Sequence, residues 1–322
     1  MPPVLVVLIA LAAPAADPPA RAVIAQRAPT PAGPTGLDRI WSADLGPPGT
    51  YRLRFTLSHF ETADFPLDGA NDVFTATDFA FAATPLPFLE PFLALRGTSN
   101  ANDGERPRVF QSLGDLTIGL KSGADVTPWL SLGGAATVRV VSALGGGGFD
   151  FDATSYELRA LATFDALRGL DLPARFLIDL SYTFENSEAL YAGLPQEPTV
   201  VQEFGLQAGR YDRFLIGLGL EVPFVEECSA YIEYRLGTPF QVELTRRGAG
   251  SDEFSFGALP HTFTPGLRAF PLPELAVDFA VRFGLSDAVY TGVPATPPWE
   301  MVIGLAYTLD PRPIVKTETV ER

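Results

Sequence analysis

The side chains with the greatest chemical potential in this chain are charged residues that occupy alternate positions of hydrophobic segments. If those segments are β-strands, the charged residues all point to one side, because successive side chains alternate between the two faces of a strand. Side chains gathered in this way can select a permeating anion or neutralise one another in pairs. The basic members of this inward set are Arg52, Arg54, Arg96, Lys121, Arg139, Arg159, Arg175, Arg213, Arg235, Arg268 and Arg282. The acidic members are Asp78, Asp115, Glu157, Asp179, Glu221, Glu233, Asp278 and Glu300.

A second candidate chemistry is acid–base or hydrolytic catalysis, for which the chain offers only two histidines, His59 and His261. A histidine pair can bind a metal ion or act as a general base. A lipid hydrolase of this kind would need its serine and histidine on one strand face, whereas Ser58 and His59 are adjacent and point to opposite faces. We therefore interpret the histidines as unrelated rim residues and expect no catalytic residue, no cofactor and no bound metal.

Composition narrows the class of protein. The chain has 322 residues, a net charge of -15, 47% hydrophobic residues and 24 phenylalanines, which is too apolar and too aromatic for a disordered protein. Its acidity and its lack of basic runs argue against a nucleic-acid partner, which would need a concentrated basic surface. Cys228 is the only cysteine, so the chain has no internal disulfide and no thiolate metal site.

The N-terminal region precedes any regular pattern. Residues 4–13, VLVVLIALAA, form a short apolar core followed by small residues, which is typical of a secretory signal peptide. We place this signal at residues 1–16, with cleavage as late as residue 22 as an alternative. Residues 17–49 are rich in proline, alanine and glycine and lack periodicity, which predicts an unpacked periplasmic linker. No other run approaches the roughly 18 apolar residues of a transmembrane helix, so any membrane span must consist of strands.

From residue 51 onward the sequence alternates between hydrophobic residues and small or charged ones, in segments of about ten residues separated by turn-forming residues. In residues 275–285 the odd positions are all Leu, Val or Phe, and the even positions are small or charged. The pattern predicts an all-β protein, a closed antiparallel up-and-down barrel that crosses a membrane at residues 50–309 and is followed by a periplasmic tail at 310–322. The predicted strands are 50–59, 71–83, 90–97, 111–121, 129–142, 153–165, 174–185, 212–222, 228–236, 261–270, 275–285 and 299–309.

Connections between the predicted strands alternate between short and long. This asymmetry is typical of outer-membrane barrels, which have short turns on the periplasmic side, and an even number of strands returns both ends of the barrel to that side. We therefore predict an integral protein of the bacterial outer membrane with periplasmic termini. Residues 200–209 are compatible with a further strand, an extended hairpin or a short helix, so the predicted strand count is 12 or 14.

The last predicted strand resembles the C-terminal assembly signal of Gram-negative outer-membrane barrels, in which a glycine precedes alternating aromatic or apolar positions. Here those positions are Gly304, Tyr307 and Leu309. Together with FQSLGDLTIGLK at residues 110–121 and PRP at 311–313, the chain resembles the barrel half of OmpA-like proteins that act in cell-surface contact and outer-membrane exchange. The resemblance implies contact with outer-membrane lipid, lipopolysaccharide and the barrel assembly machinery, and leaves any surface partner unknown.

Three functional hypotheses fit these patterns. The first is a non-enzymatic barrel with surface-exposed loops that serves envelope structure or cell-surface contact. The second is a porin-like channel for small solutes that favours anions, because basic residues outnumber acidic ones in the inward set. The third is a barrel lipid hydrolase, motivated by the strand number and the two histidines. A barrel of twelve strands is narrower than the roughly 16 to 18 strands of open porins, so a filled interior and an open one both fit the pattern.

Overall fold

The computed structural model describes residues 28–104, 108–143, 148–192, 198–240, 259–286 and 292–311. Twelve antiparallel strands form a closed barrel in which the last strand pairs with the first. The strands are β1 Tyr51–Ala63, β2 Asn71–Ala83, β3 Leu89–Asn102, β4 Val109–Thr127, β5 Leu130–Ser142, β6 Phe149–Asp165, β7 Arg175–Phe184, β8 Arg213–Val225, β9 Cys228–Pro239, β10 His261–Leu272, β11 Leu275–Gly284 and β12 Trp299–Leu309. The predicted signal peptide at 1–16 and most of the predicted tail, residues 312–322, lie outside the described residues.

Strand alternation sorts the side chains into a hydrophobic outer face and a polar inner face. In β1, Phe55 is 49% exposed, whereas Arg52 and Arg54 on the opposite face are at most 2% exposed. Exposed leucine, isoleucine, valine and phenylalanine recur on the outer face of the other strands. An apolar outer surface on a closed barrel suits contact with lipid hydrocarbon, because no backbone edge is left unpaired.

The predicted all-β barrel of twelve strands is confirmed. Strand β2 has the bounds that the sequence predicts, but β3 and β4 are longer than predicted and reach Asn102 and Val109. Their extensions occupy most of the long loop expected at residues 98–110. Beyond Gly97 the inner face of β3 remains buried but carries polar residues, so hydrophobicity stops alternating although burial and the backbone hydrogen bonds continue.

Among the described residues, two short α-helices accompany the barrel, α1 at Ala166–Leu170 and α2 at Val200–Gly205. Helix α2 lies in residues 200–209, for which the sequence left three structures open. Its N-terminus is a capping box, in which the Thr199 hydroxyl accepts from the Gln202 amide and the Gln202 side chain accepts from the Thr199 amide. No helix in the described ranges is long and apolar enough to cross a membrane.

Residues 28–49 precede β1 and lie inside the barrel; we call them the inner segment. Leu37, Ile40 and Trp41 are at most 2% exposed, and the residues packed around them belong to strands on several sides of the wall. The structure thereby corrects the unpacked linker expected at 17–49 wherever it describes that range. Periodicity gave no sign of this packing, because the described part of the segment pairs with no strand and forms two isolated bridges within itself.

The mouth of the barrel at the far end of β1 is covered by long connections. The ring of Phe204 in α2 lies 5.8 Å from that of Phe60 and 5.5 Å from that of Phe74, measured between centroids. Ala295, in the connection before β12, joins the same buried cluster. We call α2 and residues 292–298 the cap. The barrel is thus filled near the start of β1 and covered at the opposite end.

Candidate functional site in the barrel lumen

All nineteen charged residues of the inward set lie on the inner face of the barrel, where each is buried or half-buried. They surround two regions. The lower lumen is the part that the inner segment fills, and the upper cavity is the space between the inner segment and the cap. The two regions differ in what neutralises their charges.

Glu90, at the start of β3, anchors the inner segment in the lower lumen. Its fully buried carboxylate accepts hydrogen bonds from the backbone amides of Thr35 at 2.9 Å and Gly46 at 3.3 Å, and from Arg52 at 2.7 Å. The Lys121 ammonium lies 3.8 Å away. Since a buried carboxylate is stable only when its oxygens are satisfied, Glu90 ties two distant parts of the segment to one strand.

Glu233 of β9 is the second carboxylate that binds the backbone of the inner segment. It accepts hydrogen bonds from the consecutive amides of Asp38 at 2.8 Å, Arg39 at 3.1 Å and Ile40 at 3.0 Å. Successive backbone amides that converge in this way form an anion-binding concavity. Here the Glu233 carboxylate of the wall is the anion, and the backbone amides of the inner segment form the concavity.

Cations of the wall bind the carbonyl groups and a carboxylate of the inner segment. Lys121 donates to the Asp44 carbonyl at 2.7 Å, and Arg268 donates to the Gly36 carbonyl at 3.0 Å. Arg175 pairs with the Asp44 carboxylate. Backbone groups that would normally pair in a sheet are therefore satisfied by side chains.

Arg282 of β11 closes the top of the lower lumen. It binds both oxygens of Asp38, at 2.6 and 2.8 Å, and one oxygen of Glu300 at 2.7 Å. Arg39 reaches the same Glu300 oxygen at 3.3 Å. Such a two-point contact fixes the orientation of a carboxylate as well as its position, so it fixes the tip of the inner segment against the wall.

Glycines on the inner face make room for the segment. A Cβ atom at Gly217 would lie 2.3 Å from Cδ1 of Ile40, and a Cβ at Gly219 would lie 2.8 Å from Cδ1 of Leu37. At Gly123 it would lie 2.2 Å from the carbonyl oxygen of Ala43. At Gly123 the atom that a Cβ would meet belongs to the backbone of the segment and cannot move aside, whereas at Gly217 and Gly219 the ends of two side chains would have to shift. The wall is therefore shaped to the segment that fills it.

The upper cavity has a volume of about 400 Å³. Its floor is formed by the tip of the inner segment, including Arg39 and Trp41, and its ceiling by the cap, including Phe204 and Ala295. Its walls carry arginines from several strands. The cavity therefore combines apolar surfaces with a cationic ring.

Most cations of the upper cavity are neutralised by carboxylates. Each of the following pairs has a nitrogen and an oxygen at 3.0 Å or less: Arg96 with Asp78, Arg139 and Arg213 with Glu185, Arg159 with Glu157 and Asp179, and Arg282 with Asp38 and Glu300. Arg235 of β9 differs from them. Within the described residues it has no hydrogen-bonding or ion-pair partner, although it lines the cavity.

Glu185 lies just beyond β7, in the connection to β8, and links two strands through Arg139 and Arg213. Its carboxylate also accepts hydrogen bonds from the hydroxyls of Ser155 at 2.8 Å and Ser187 at 2.6 Å. Burial alone would raise the pKa of Glu185, but the two arginines and the hydroxyl groups outweigh burial and hold the pKa at about 2. The carboxylate is therefore ionised at neutral pH.

The two histidines take different partners. His59 Nδ1 lies 3.0 Å from the Thr75 hydroxyl, and His261 Nδ1 lies 3.1 Å from the Tyr234 hydroxyl. The structure therefore does not bring them together as a pair. In the part of the chain that is described, no three His, Cys, Asp or Glu side chains form a potential metal site.

The three positions of the expected assembly signal fall on both faces of β12. Tyr307 and Leu309 are on the outer face and are 46% and 50% exposed. Gly304 is on the inner face, where a Cβ atom would lie 2.3 Å from an Arg54 nitrogen. Its lack of a side chain therefore also makes room for an arginine of the lumen.

The sequence analysis missed five charged residues that organise the lumen: Asp38, Arg39, Asp44, Glu90 and Glu185. A signal for Glu90 exists, because it shares the inward phase of β3 with Phe92, Ala94 and Arg96. The others lie in segments without alternation, where sequence carries no information about which way a side chain points.

No protein-family model and no curated protein matches this chain. Solved barrel structures do. An outer-membrane channel from Pseudomonas putida F1 is similar with a TM-score of 0.56 and 12% identity, over 83% of this chain and 98% of that one. The NanC porin has a TM-score of 0.49 and 10% identity over 80% of this chain and 100% of its own. The KdgM porin has a TM-score of 0.46 and 6% identity over 79% of this chain and 98% of its own. The first likeness concerns the fold, which is that of an integral outer-membrane β-barrel.

Proposed function

We propose that this protein is a non-enzymatic, small-solute channel of the outer membrane that favours anions, and that the inner segment is its gate. The proposal depends on one observation: the strands close the barrel wall by pairing with one another, and the inner segment takes no part in that pairing. β1 pairs directly with β12 from Tyr51 to His59, and the other strands pair with their neighbours around the ring. Displacement of the segment therefore breaks no strand pairing.

The contacts that hold the inner segment suit a reversible gate. Glu90 and Glu233 bind its backbone amides through hydrogen bonds, and water that enters a lumen can replace hydrogen bonds of this kind. The net contribution of such a bond is only about 1 kcal/mol, or about 2 when one partner is charged. A stable closed state and a reachable open state are compatible with these magnitudes.

Departure of the inner segment would also make the lumen more basic. Asp38 neutralises Arg282, and Asp44 neutralises Arg175; both arginines belong to the wall and both carboxylates belong to the segment. The segment would take two carboxylates out of the lumen and only one cation, Arg39. Rings of arginine favour anions in pores, so the open state should select anions.

A disulfide that locks the inner segment to the wall tests this proposal. The Thr163 hydroxyl of β6 lies 2.8 Å from the backbone nitrogen of Ala43, so the two residues are in direct contact, and loss of free thiols on oxidation verifies that the cross-link has formed. The variant carries Ala43→Cys and Thr163→Cys in a Cys228→Ser background. We expect the full chain to conduct ions in planar bilayers with a reversal potential that indicates anion preference, the oxidised lock to reduce this conductance at least tenfold, and a reductant to restore it.

The two single-cysteine variants in the same background are the controls, and neither should respond to oxidation. Absence of ion flux through folded full-length protein, or a flux that the lock leaves unchanged, would overturn the gated channel. Heat-modifiable gel migration verifies folding in each case.

A second candidate is a barrel without conductance that serves envelope structure or cell-surface contact. The filled lower lumen and the covered mouth favour it, and so does the resemblance to the barrel half of OmpA-like proteins. In either case we place Tyr51 and Leu309, the ends of the barrel, on the periplasmic side, because the short connections lie at that end. We also propose that Gly304, Tyr307 and Leu309 contact the barrel assembly machinery.

A further inference from the structure

The upper cavity contains an arginine, Arg235, that makes no hydrogen bond or ion pair with any described residue. The residues directly opposite Arg235 on the neighbouring strands are Gly217 and Thr262, and neither carries a charge. Among its charged neighbours, Arg159 and Arg213 repel it, while Glu157 and Asp179 attract it. Both carboxylates are held by Arg159, at 3.0 and 2.5 Å.

A cation in this position favours an anionic ligand. The charge is half-buried, so water solvates it less well than at an open surface, and neighbouring arginines add positive potential. An arginine in a wall can bind a carboxylate through two parallel hydrogen bonds. Because the other arginines of the lining already have carboxylate partners, the vacant position accommodates one carboxylate rather than several.

The apolar part of the cavity indicates the rest of the ligand. Trp41 lies in the floor, with the Arg159 guanidinium 3.9 Å from its ring centroid, and Phe204 and Ala295 contribute apolar surface from the cap. The volume of about 400 Å³ is within the range of small-ligand sites. A hydrated inorganic anion would leave this apolar surface unused.

We infer that the upper cavity is a binding site for a small organic monocarboxylate with an apolar body, whose carboxylate binds Arg235 and whose body contacts Trp41 and the cap. The inference deepens the proposed channel function by naming the class of solute, but binding at equilibrium does not require transport. The channel function and the binding site can therefore be disproved independently of each other.

Titration of the full chain in detergent with hexanoate tests the inference. Trp41 is the tryptophan of the cavity, whereas Trp129 and Trp299 lie on the outer face and are 39% and 36% exposed. Fluorescence in a Trp129→Phe, Trp299→Phe background therefore reports on the site, and calorimetry gives the stoichiometry. We expect saturable binding of one hexanoate per chain, with no measurable binding of hexanamide and at least tenfold weaker binding of inorganic phosphate.

The Arg235→Gln variant should weaken hexanoate binding at least tenfold, which is the size expected for the loss of a hydrogen bond to a charged group. Arg235→Lys should weaken binding less, because it keeps the charge but loses the two-point contact. The control is Arg210→Gln, which removes a positive charge from an exposed arginine paired with Glu188 and should leave binding unchanged.

Absence of saturable binding, equal binding by wild type and a folded Arg235→Gln variant, or phosphate binding as tight as hexanoate binding would each overturn the inference. If Arg235→Gln does not fold, an Arg235→Lys variant with unchanged affinity has the same effect. Binding without conductance would remove the channel and keep the site, and conductance without binding would remove the site and keep the channel.

Discussion

The lower lumen and the upper cavity both have walls that carry charged side chains, but different groups neutralise those charges. In the lower lumen, wall carboxylates such as Glu233 bind backbone amides, and glycines such as Gly217 let the inner segment approach closely. In the upper cavity the charges mainly pair with one another across the wall, and space remains. Where small residues and unpaired acceptors accompany the charges, a charged lumen can bind a segment of protein. Where the charges pair with one another and space remains, it can bind a solute.

The contact whose loss should weaken the lower lumen most is Glu233. Replacing it with alanine leaves the amides of Asp38, Arg39 and Ile40 without their shared acceptor, which should weaken the attachment of the inner segment by roughly 4 kcal/mol. Hydrogen exchange of residues 37–41, measured by mass spectrometry in detergent, should accelerate strongly while the strands keep their protection. Glu233→Gln, which retains one acceptor oxygen, is the matched control and should show a smaller effect.

Acid should weaken the contacts that Glu185 makes at the mouth of the upper cavity. The pKa of Glu185 is held at about 2, below its ordinary value of 4.5, so the folded state gains stability from this group above about pH 4.5. This stability, on the order of 3 kcal/mol, is lost as the pH falls from about 4.5 through 2. Hydrogen exchange at residues 185–191, corrected for intrinsic rates, should show this loss.

A Glu185→Gln variant should be insensitive to pH in this range and less protected at neutral pH, because the amide cannot replace both ion pairs. Equal pH dependence in the variant and the wild type would show that another group controls this end of the barrel.

The close fit of the lower lumen can be broken by one methyl group. Gly123→Ala places a Cβ 2.2 Å from the carbonyl oxygen of Ala43, a backbone atom that cannot rotate away, and should cost about 2 kcal/mol of segment attachment. Faster hydrogen exchange within residues 41–45 would report it. Gly237→Ala is the control from the upper part of the lumen, where the nearest atom is a flexible leucine carbon 3.2 Å away, and should change little.

The smallest effect is expected at the histidines, which contact different hydroxyl groups, those of Thr75 and Tyr234. A His59→Ala, His261→Ala double variant should leave lipid turnover by purified protein in lipid vesicles unchanged, since no catalytic group is lost. Lipid hydrolysis by the wild type that disappears in this variant would revive the hydrolase hypothesis.

The barrel could be predicted from the sequence because lipid outside and charge inside force every strand to alternate. The strands at 71–83 and 299–309 were predicted to the residue. The inner segment could not be predicted, because its backbone is satisfied by side chains far away in sequence, such as Glu233 for Asp38, 195 residues apart. The inward glycines Gly217 and Gly219 were visible in the sequence, but nothing local indicated which residues would occupy the space beside them.

The inner segment lies next to β1 along the chain but touches β9, β10, β11 and β12 through Glu233, Arg268, Arg282 and Glu300. It therefore spans the seam where the first strand must find the last, a contact between ends of the chain that are far apart in sequence and slow to meet. A segment that precedes β1 and binds the late strands would shorten that search. The inner segment, which fills the finished barrel, is thus also placed to guide the pairing of β1 with β12 that closes the barrel.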